Sequence, residues 1–549
     1  MASTPSVPGA PSTQRSSPRP SGGEDAEHRS PGEEAPPVHA KTHRIRWAGL
    51  VVGLVLALLV YVVMPADLAH PAKLTAATAV LMGVWWMTEA IPIPATALLP
   101  LIVFPVLGED VAVDDVGASY GSNIIFLFMG GFLLALAMQR WNLHRRIALR
   151  TVRVMGTKPA QMVAGFMLAT AFLSMWVSNT ATAVMMLPIG VSVLLLLPKL
   201  LEDSGASAGG TDGGALEDAN LEGADPQSAE VKEAVIASNF GTALMLGIAY
   251  AASIGSLSTI IGTPPNTLMV GYLQEAHGID VGFGQWMLVG VPLSAVMLVV
   301  AWFLLTKVLF RPEIDEIPGG RKLIDQELEK LGPMSTGEKL VLAIFALAAL
   351  SWVFVPIVFD SPPISDAGIA MVVGLLLFLL PAGARRGVRL LDWESAVKLP
   401  WGVLLLFGGG LALSAQFTSS GLTDWIGQGA AALGAVPVVL VVAIFAAGIL
   451  FLTELTSNTA TAATFLPVSG GVALGLGLDP VLLAIPVALA ATCAFMLPVA
   501  TPPNAIAFGS GYVTIGQMIK GGLWLNLVGI VLITLLTMTL GVWVFSIVY

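Results

Sequence analysis

Two short polar islands sit inside long apolar stretches, and each occurs twice. Ser178-Asn179-Thr180-Ala181-Thr182-Ala183 returns unchanged as Ser457-Asn458-Thr459-Ala460-Thr461-Ala462. The offset is 279 residues (457 − 178), and Leu187-Pro188 and Leu466-Pro467 keep it. Gly262-Thr263-Pro264-Pro265-Asn266 is likewise matched by Ala500-Thr501-Pro502-Pro503-Asn504. Asparagine offers a carbonyl oxygen and an amide donor, and Ser or Thr hydroxyls do either job. Unwinding a helix inside a membrane frees carbonyls and amides that must find partners. Freed carbonyls suit a cation, and the positive N-terminal ends of half-helices suit an anion. The islands contain no Arg or Lys. An anion there would be met by neutral donors, helix ends and nearby bound cations, because desolvating a dianion with neutral groups alone is costly. One copy could equally serve interhelical hydrogen bonding or a kink. Two copies of both, in register, favour a shared site.

The elements that position these islands follow from composition. The chain has 549 residues, 55% hydrophobic and 11% charged, with mean hydropathy +0.82. Soluble domains carry about 25% charged residues, so this composition is that of a multi-pass membrane protein with helices near the ~20 residues needed to span. The net charge of −10 sits largely in the N-terminal tail and one loop. The single Cys493 rules out an intrachain disulfide. With no HExxH zinc motif and no GxxxxGK[ST] loop, and no nucleophile–base pair, the chain does not read as an enzyme or an ATP-driven pump. Nothing resembles the repeated selectivity filter of a channel.

Residues 1–40 are rich in Ser, Pro, Gly and Glu and are expected to be a disordered cytoplasmic tail. Lys41, His43, Arg44 and Arg46 before the first apolar run place the N-terminus in the cytoplasm. Trp85-Trp86 reads as an interfacial belt, and Glu89 as a residue near a membrane boundary or between helices. Gly130-Gly131 and Gly409-Gly410 either let helices approach closely or mark a re-entrant hairpin in each half. Around Ser178 and Ser457, two half-helices flanking a polar tip fit the length of the apolar run. Each Thr-Pro-Pro must break its helix. Glu454, just before the second hexapeptide, is a buried carboxylate with three readings: a structural hydrogen bond near the site, which is favoured, a cation ligand, or a proton carrier. The expected organisation is a first transmembrane repeat with N-terminal scaffold helices over 41–310, a connector over 311–339, and a second repeat over 340–549. An acidic loop at 200–231 is read as an insertion with no part in transport.

The doubled Ser-Asn-Thr with doubled Thr-Pro-Pro resembles the divalent anion/sodium symporter family of di- and tricarboxylate transporters, over about residues 45–549 outside the acidic loop. The resemblance implies an all-α polytopic membrane protein built of inverted repeats, with two re-entrant hairpins and two broken helices. It implies a scaffold plus a transport domain of the elevator type, in a homodimer set in the lipid of the cytoplasmic membrane. It implies substrate contacts from Ser178, Asn179, Thr180, Thr263, Ser457, Asn458, Thr459 and Thr501. The Na⁺ sites it implies are Ser174, Ser178, Asn179 and Gly262, and Thr453, Thr456, Asn458 and Ala500. The expected activity is Na⁺-coupled symport of a C4-dicarboxylate anion such as succinate, fumarate or malate. The alternatives within the family are a Na⁺-independent dicarboxylate exchanger and a sulfate or citrate transporter.

Overall fold

A computed structural model describes residues 40–156, 158–194, 236, 238–314, 316–317, 320–359 and 361–549. The expectations for the N-terminal tail and the acidic loop fall outside these residues, apart from Ala40 at the tail's end. The described chain is helical throughout, without a strand. Six helices are long and apolar enough to cross a membrane, among them Thr336–Val358 and Trp401–Ser419. Several shorter apolar helices pack among them.

The hexapeptides sit at the tips of helical hairpins. Helix Pro159–Ser174 ends, four residues turn, and Asn179–Leu194 begins. Helix Asn239–Ser256 records the direction of both. A Cβ on its Gly255 would lie 2.2 Å from the Ala171 carbonyl oxygen, and its Gly247 faces Met167 and Val163. Its Ile248 meets Gly190 of the second helix. Both helices therefore run away from the tip along the same neighbour, folded back on each other. In the second half Val438–Thr453 and Asn458–Gly475 repeat the pattern. Both pack along Pro480–Thr492, whose turn from Gly475 is closed by Leu478 N–H donating to the Ala473 carbonyl at 2.8 Å.

The Thr-Pro-Pro islands are the true breaks. Asn239–Ser256 stops, a short 3-10 turn at Ile260–Gly262 follows, and Pro264–His277 resumes. Likewise Pro480–Thr492 stops and Pro502–Gly509 resumes. Both proline pairs occupy the first helical turn, where a missing N–H costs nothing.

Two expectations are corrected. The glycine pairs are not hairpin turns: Asn123–Arg140 and Trp401–Ser419 run straight through them. The glycines serve close approach instead. A Cβ on Gly130 would sit 2.6 Å from the Ala370 carbonyl oxygen, and one on Gly409 would sit 2.2 Å from that of Ala97. Trp85 and Trp86 are not an interfacial belt. Both are buried, and their indoles donate to the carbonyls of Leu50 and Ile93.

The basic cluster after Asn123–Arg140 forms an amphipathic helix, Leu143–Met155. The connector contributes a helix, Gly320–Lys330, that docks on it through Arg153–Asp325 at 2.7 Å and Arg145–Glu327 at 3.7 Å. Arg146, buried, grips the equally buried Glu338 with two nitrogens. These pairs tie the end of the first half to the start of the second.

Candidate functional site

One cavity of about 1040 Å³ receives both hairpin tips and both broken-helix turns. Ser178, Asn179, Thr180, Gly262 and Thr263 line it from the first half. Thr456, Ser457, Asn458, Thr459, Ala500 and Thr501 line it from the second. Of the residues expected at the site, only Ser174 and Thr453 lie behind the wall, fully buried.

Four helices begin at this cavity, at Asn179, Pro264, Asn458 and Pro502. Each presents the positive end of its backbone dipole and its unpaired N–H groups. Hydroxyls cap some of these ends: Ser178 Oγ accepts from Ala181 N–H at 3.3 Å, and Thr501 Oγ1 from Asn504 N–H at 3.3 Å. Four other helices end close by, at Ser174, Ser256, Thr453 and Thr492. The result is N–H-rich ground for a carboxylate beside carbonyl- and hydroxyl-rich ground for a cation.

The two halves build the cation side alike. Ser174 Oγ donates to Asn179 Oδ1 at 2.7 Å, and Thr453 Oγ1 donates to Asn458 Oδ1 at 2.8 Å, the same two positions 279 residues apart (453 − 174). Asn179 Nδ2 donates on to Ser256 Oγ at 3.2 Å. Oxygen atoms on each tip asparagine are thus already turned toward the unwound turn. Gly262 leaves room for such an ion: a Cβ there would lie 2.3 Å from the Ser256 carbonyl oxygen. The residues present fit a small hard cation held by neutral oxygens.

The asparagines of the Thr-Pro-Pro-Asn islands have a role the motif reading passed over. Asn266 Nδ2 donates to the Thr259 carbonyl at 2.9 Å and points at those of Ser256 and Leu257. Asn504 Nδ2 donates to the carbonyls of Ala494 and Leu497 at 3.2 and 3.1 Å. Each therefore stitches its own unwound turn, in matching register. The recurrence of Asn in both islands was the available signal.

Glu454 takes the structural reading. It is buried, with Oε1 accepting from Phe495 N–H at 2.8 Å and Met496 N–H at 2.9 Å, and Oε2 from Leu497 N–H at 3.0 Å. Asn526, on the distant helix Ile515–Leu536, adds a fourth donor at 2.6 Å. Nothing in the sequence marks Asn526. Sequence reading also missed that Arg46, Glu89 and Lys398 line the same cavity. Arg46 and Glu89 pair at 3.6 Å, and Glu89 caps its helix in the left-handed conformation, φ 47. These charges lie on helices other than the four that begin at the tips and turns.

The sodium:sulfate symporter transmembrane region matches residues 44–547. A sodium-dependent dicarboxylate transporter SdcS of Staphylococcus saprophyticus is 42% identical over 498 residues, covering 89% of this chain and 90% of that protein. The SdcS of Staphylococcus aureus strain USA300 is 41% identical over the same shares. Among solved structures, the YdaH transporter of Alcanivorax borkumensis matches with TM-score 0.51 at 15% identity, over 86% of this chain and 98% of that one, a likeness of fold alone. The doubled islands, their meeting at one cavity and a family match spanning nearly all of the described chain lead to one statement: this integral membrane protein belongs to the divalent anion/sodium symporter family.

Proposed function

We propose that this protein is a secondary transporter that couples Na⁺ to the symport of a C4-dicarboxylate across the cytoplasmic membrane. The observation that carries the reading is the convergence of both Ser-Asn-Thr tips and both Thr-Pro-Pro turns on one cavity. The names of the relatives supply the cargo class. In this reading the hydroxyls and N–H groups of Ser178, Asn179, Thr180 and Thr263 hold one end of the dianion. Ser457, Asn458, Thr459 and Thr501 hold the other. Ser174, Ser178, Asn179 and Gly262 take one Na⁺, and Thr453, Thr456, Asn458 and Ala500 take a second. The cations offset the charge that neutral donors cannot.

The two halves act as inverted repeats, 41–310 and 340–549 joined by 311–339. The hairpins and broken helices form a transport domain that slides past a scaffold, in elevator fashion, within a homodimer whose N-terminus is cytoplasmic. Support comes from the common 279-residue register of the two hairpins and from the ion-paired helix Leu143–Met155, placed to link moving and fixed parts. The description of the family region names sulfate, which keeps sulfate as the second reading.

The test is uptake into proteoliposomes under an inward Na⁺ gradient, with succinate, citrate and sulfate as cargo. Succinate accumulation that collapses when Na⁺ is replaced by K⁺ is expected. Full succinate counterflow at zero Na⁺ without Na⁺-driven accumulation would establish an exchanger instead, and accumulation of sulfate alone would establish the second reading.

A further inference from the structure

The two cation grounds described above are alike at the tips but differ in what holds the unwound turn behind them. Glu454 is the residue that follows helix Val438–Thr453, and its counterpart 279 residues earlier is Met175 (454 − 279). Behind the first tip the turn is held by neutral groups. Thr259 Oγ1 donates to the Met175 carbonyl at 2.5 Å, and the Trp286 indole donates to the Leu257 carbonyl at 3.1 Å. Behind the second tip the turn is held by a carboxyl that takes three successive backbone N–H groups, 495 to 497, and the Asn526 amide. Every partner of Glu454 is a donor, which is the bonding pattern of a carboxylate. No basic side chain pairs with it among the described residues. A full negative charge is therefore set next to Thr453 and three residues from Ser457, in a buried place where charge interactions are weakly screened.

We propose that Glu454 is a positioning residue for the second cation site only, so that the two sites are unequal. It fixes the 495–497 turn, whose carbonyls Asn504 also grips, and its charge strengthens the hold on the cation bound between the Thr453 tip and Ala500. The first site, backed by Met175, has neither the clamp nor the charge. This rests on the two-cation reading of the cavity.

The test is Na⁺ titration of the unfolding temperature of the purified, substrate-free protein in detergent, with choline or K⁺ replacing Na⁺. Succinate titration at saturating Na⁺ runs in parallel. Glu454→Gln keeps the shape, removes the charge and turns an amide donor toward backbone donors. It is expected to raise the half-saturating Na⁺ concentration by about tenfold, the scale of one well-placed buried charge, while succinate half-saturation moves by less than about twofold, well under that step. Asn526→Ala keeps the charge and removes one donor, so it is expected to shift Na⁺ by roughly two- to threefold, as loss of one hydrogen bond would. Met175→Leu, in the same register of the other half, is expected to leave both titrations unchanged. An unshifted Na⁺ response in Glu454→Gln overturns the assignment, as do equal shifts for Na⁺ and succinate, which would mark general loosening. If Glu454→Gln does not fold, an unshifted Na⁺ response in Asn526→Ala overturns it. A parent protein with no Na⁺-specific stabilisation overturns the two-cation reading itself, and the assignment with it.

Discussion

Each Ser-Asn-Thr asparagine is held by a hydroxyl five residues upstream, Ser174 for Asn179 and Thr453 for Asn458. The amide is therefore fixed before any ligand arrives, and ligand binding need not order it. Asn179→Ala and Asn458→Ala remove a carbonyl oxygen and a donor from the cavity wall. Each is expected to lower Na⁺-driven succinate uptake by at least about tenfold, since an unmet buried polar group costs about 1–3 kcal/mol. Expression and gel-filtration profile should match the parent; parental uptake in both variants would remove these residues from the site. Gly262→Ala is a sharper probe, because its Cβ would collide with the Ser256 backbone rather than with a pliable side chain. It is expected to raise the half-saturating Na⁺ for uptake by about tenfold or more. The reverse change, Ala500→Gly, should be mild, because that position already carries a methyl group.

At the scale of elements, the polar islands were legible because broken helices need residues of narrow type: prolines at a restart, and oxygen-bearing side chains where backbone groups come free. Which island turns back and which only breaks was not legible. A polar tip of four residues fits either geometry until a neighbour such as Asn239–Ser256 shows the direction of both flanking helices. The glycine pairs misled for a related reason. Glycine signals that something comes close, and only the fold says that at Gly130 and Gly409 it is the backbone near Ala370 and Ala97. The same limit hid Asn526, which reaches Glu454 from 72 positions away. The buried Arg146–Glu338 pair offers a test of how the halves are tied. Arg146→Met strands a buried carboxylate and is expected to destabilise the protein by about 3–5 kcal/mol, read as a lower unfolding temperature in detergent. Arg146→Met with Glu338→Leu should recover most of that loss, because the pair's own net contribution is small.

For the whole molecule, the 41-residue difference between the two spacings, 85 from Ser178 to Thr263 against 44 from Ser457 to Thr501, is absorbed by the acidic stretch between the first hairpin and the first broken helix. Because 178–194 and 239–263 meet at the tip regardless, removing Ser204–Asp225 is expected to leave succinate uptake and its half-saturation unchanged; a weakened affinity would give that stretch a part in the carrier. The cavity has further consequences through its make-up. Its polar atoms are concentrated on the tips and turns, whereas Phe128, Phe132, Val403, Leu455 and Val499 supply much of the remaining wall. Such a chamber inspects the two charged termini of a guest and takes little notice of what joins them. A double bond or a lone hydroxyl at the guest's centre should pass unremarked, so fumarate and malate should each compete with labelled succinate at similar concentrations, while butyrate, with one terminus missing, should not compete at all.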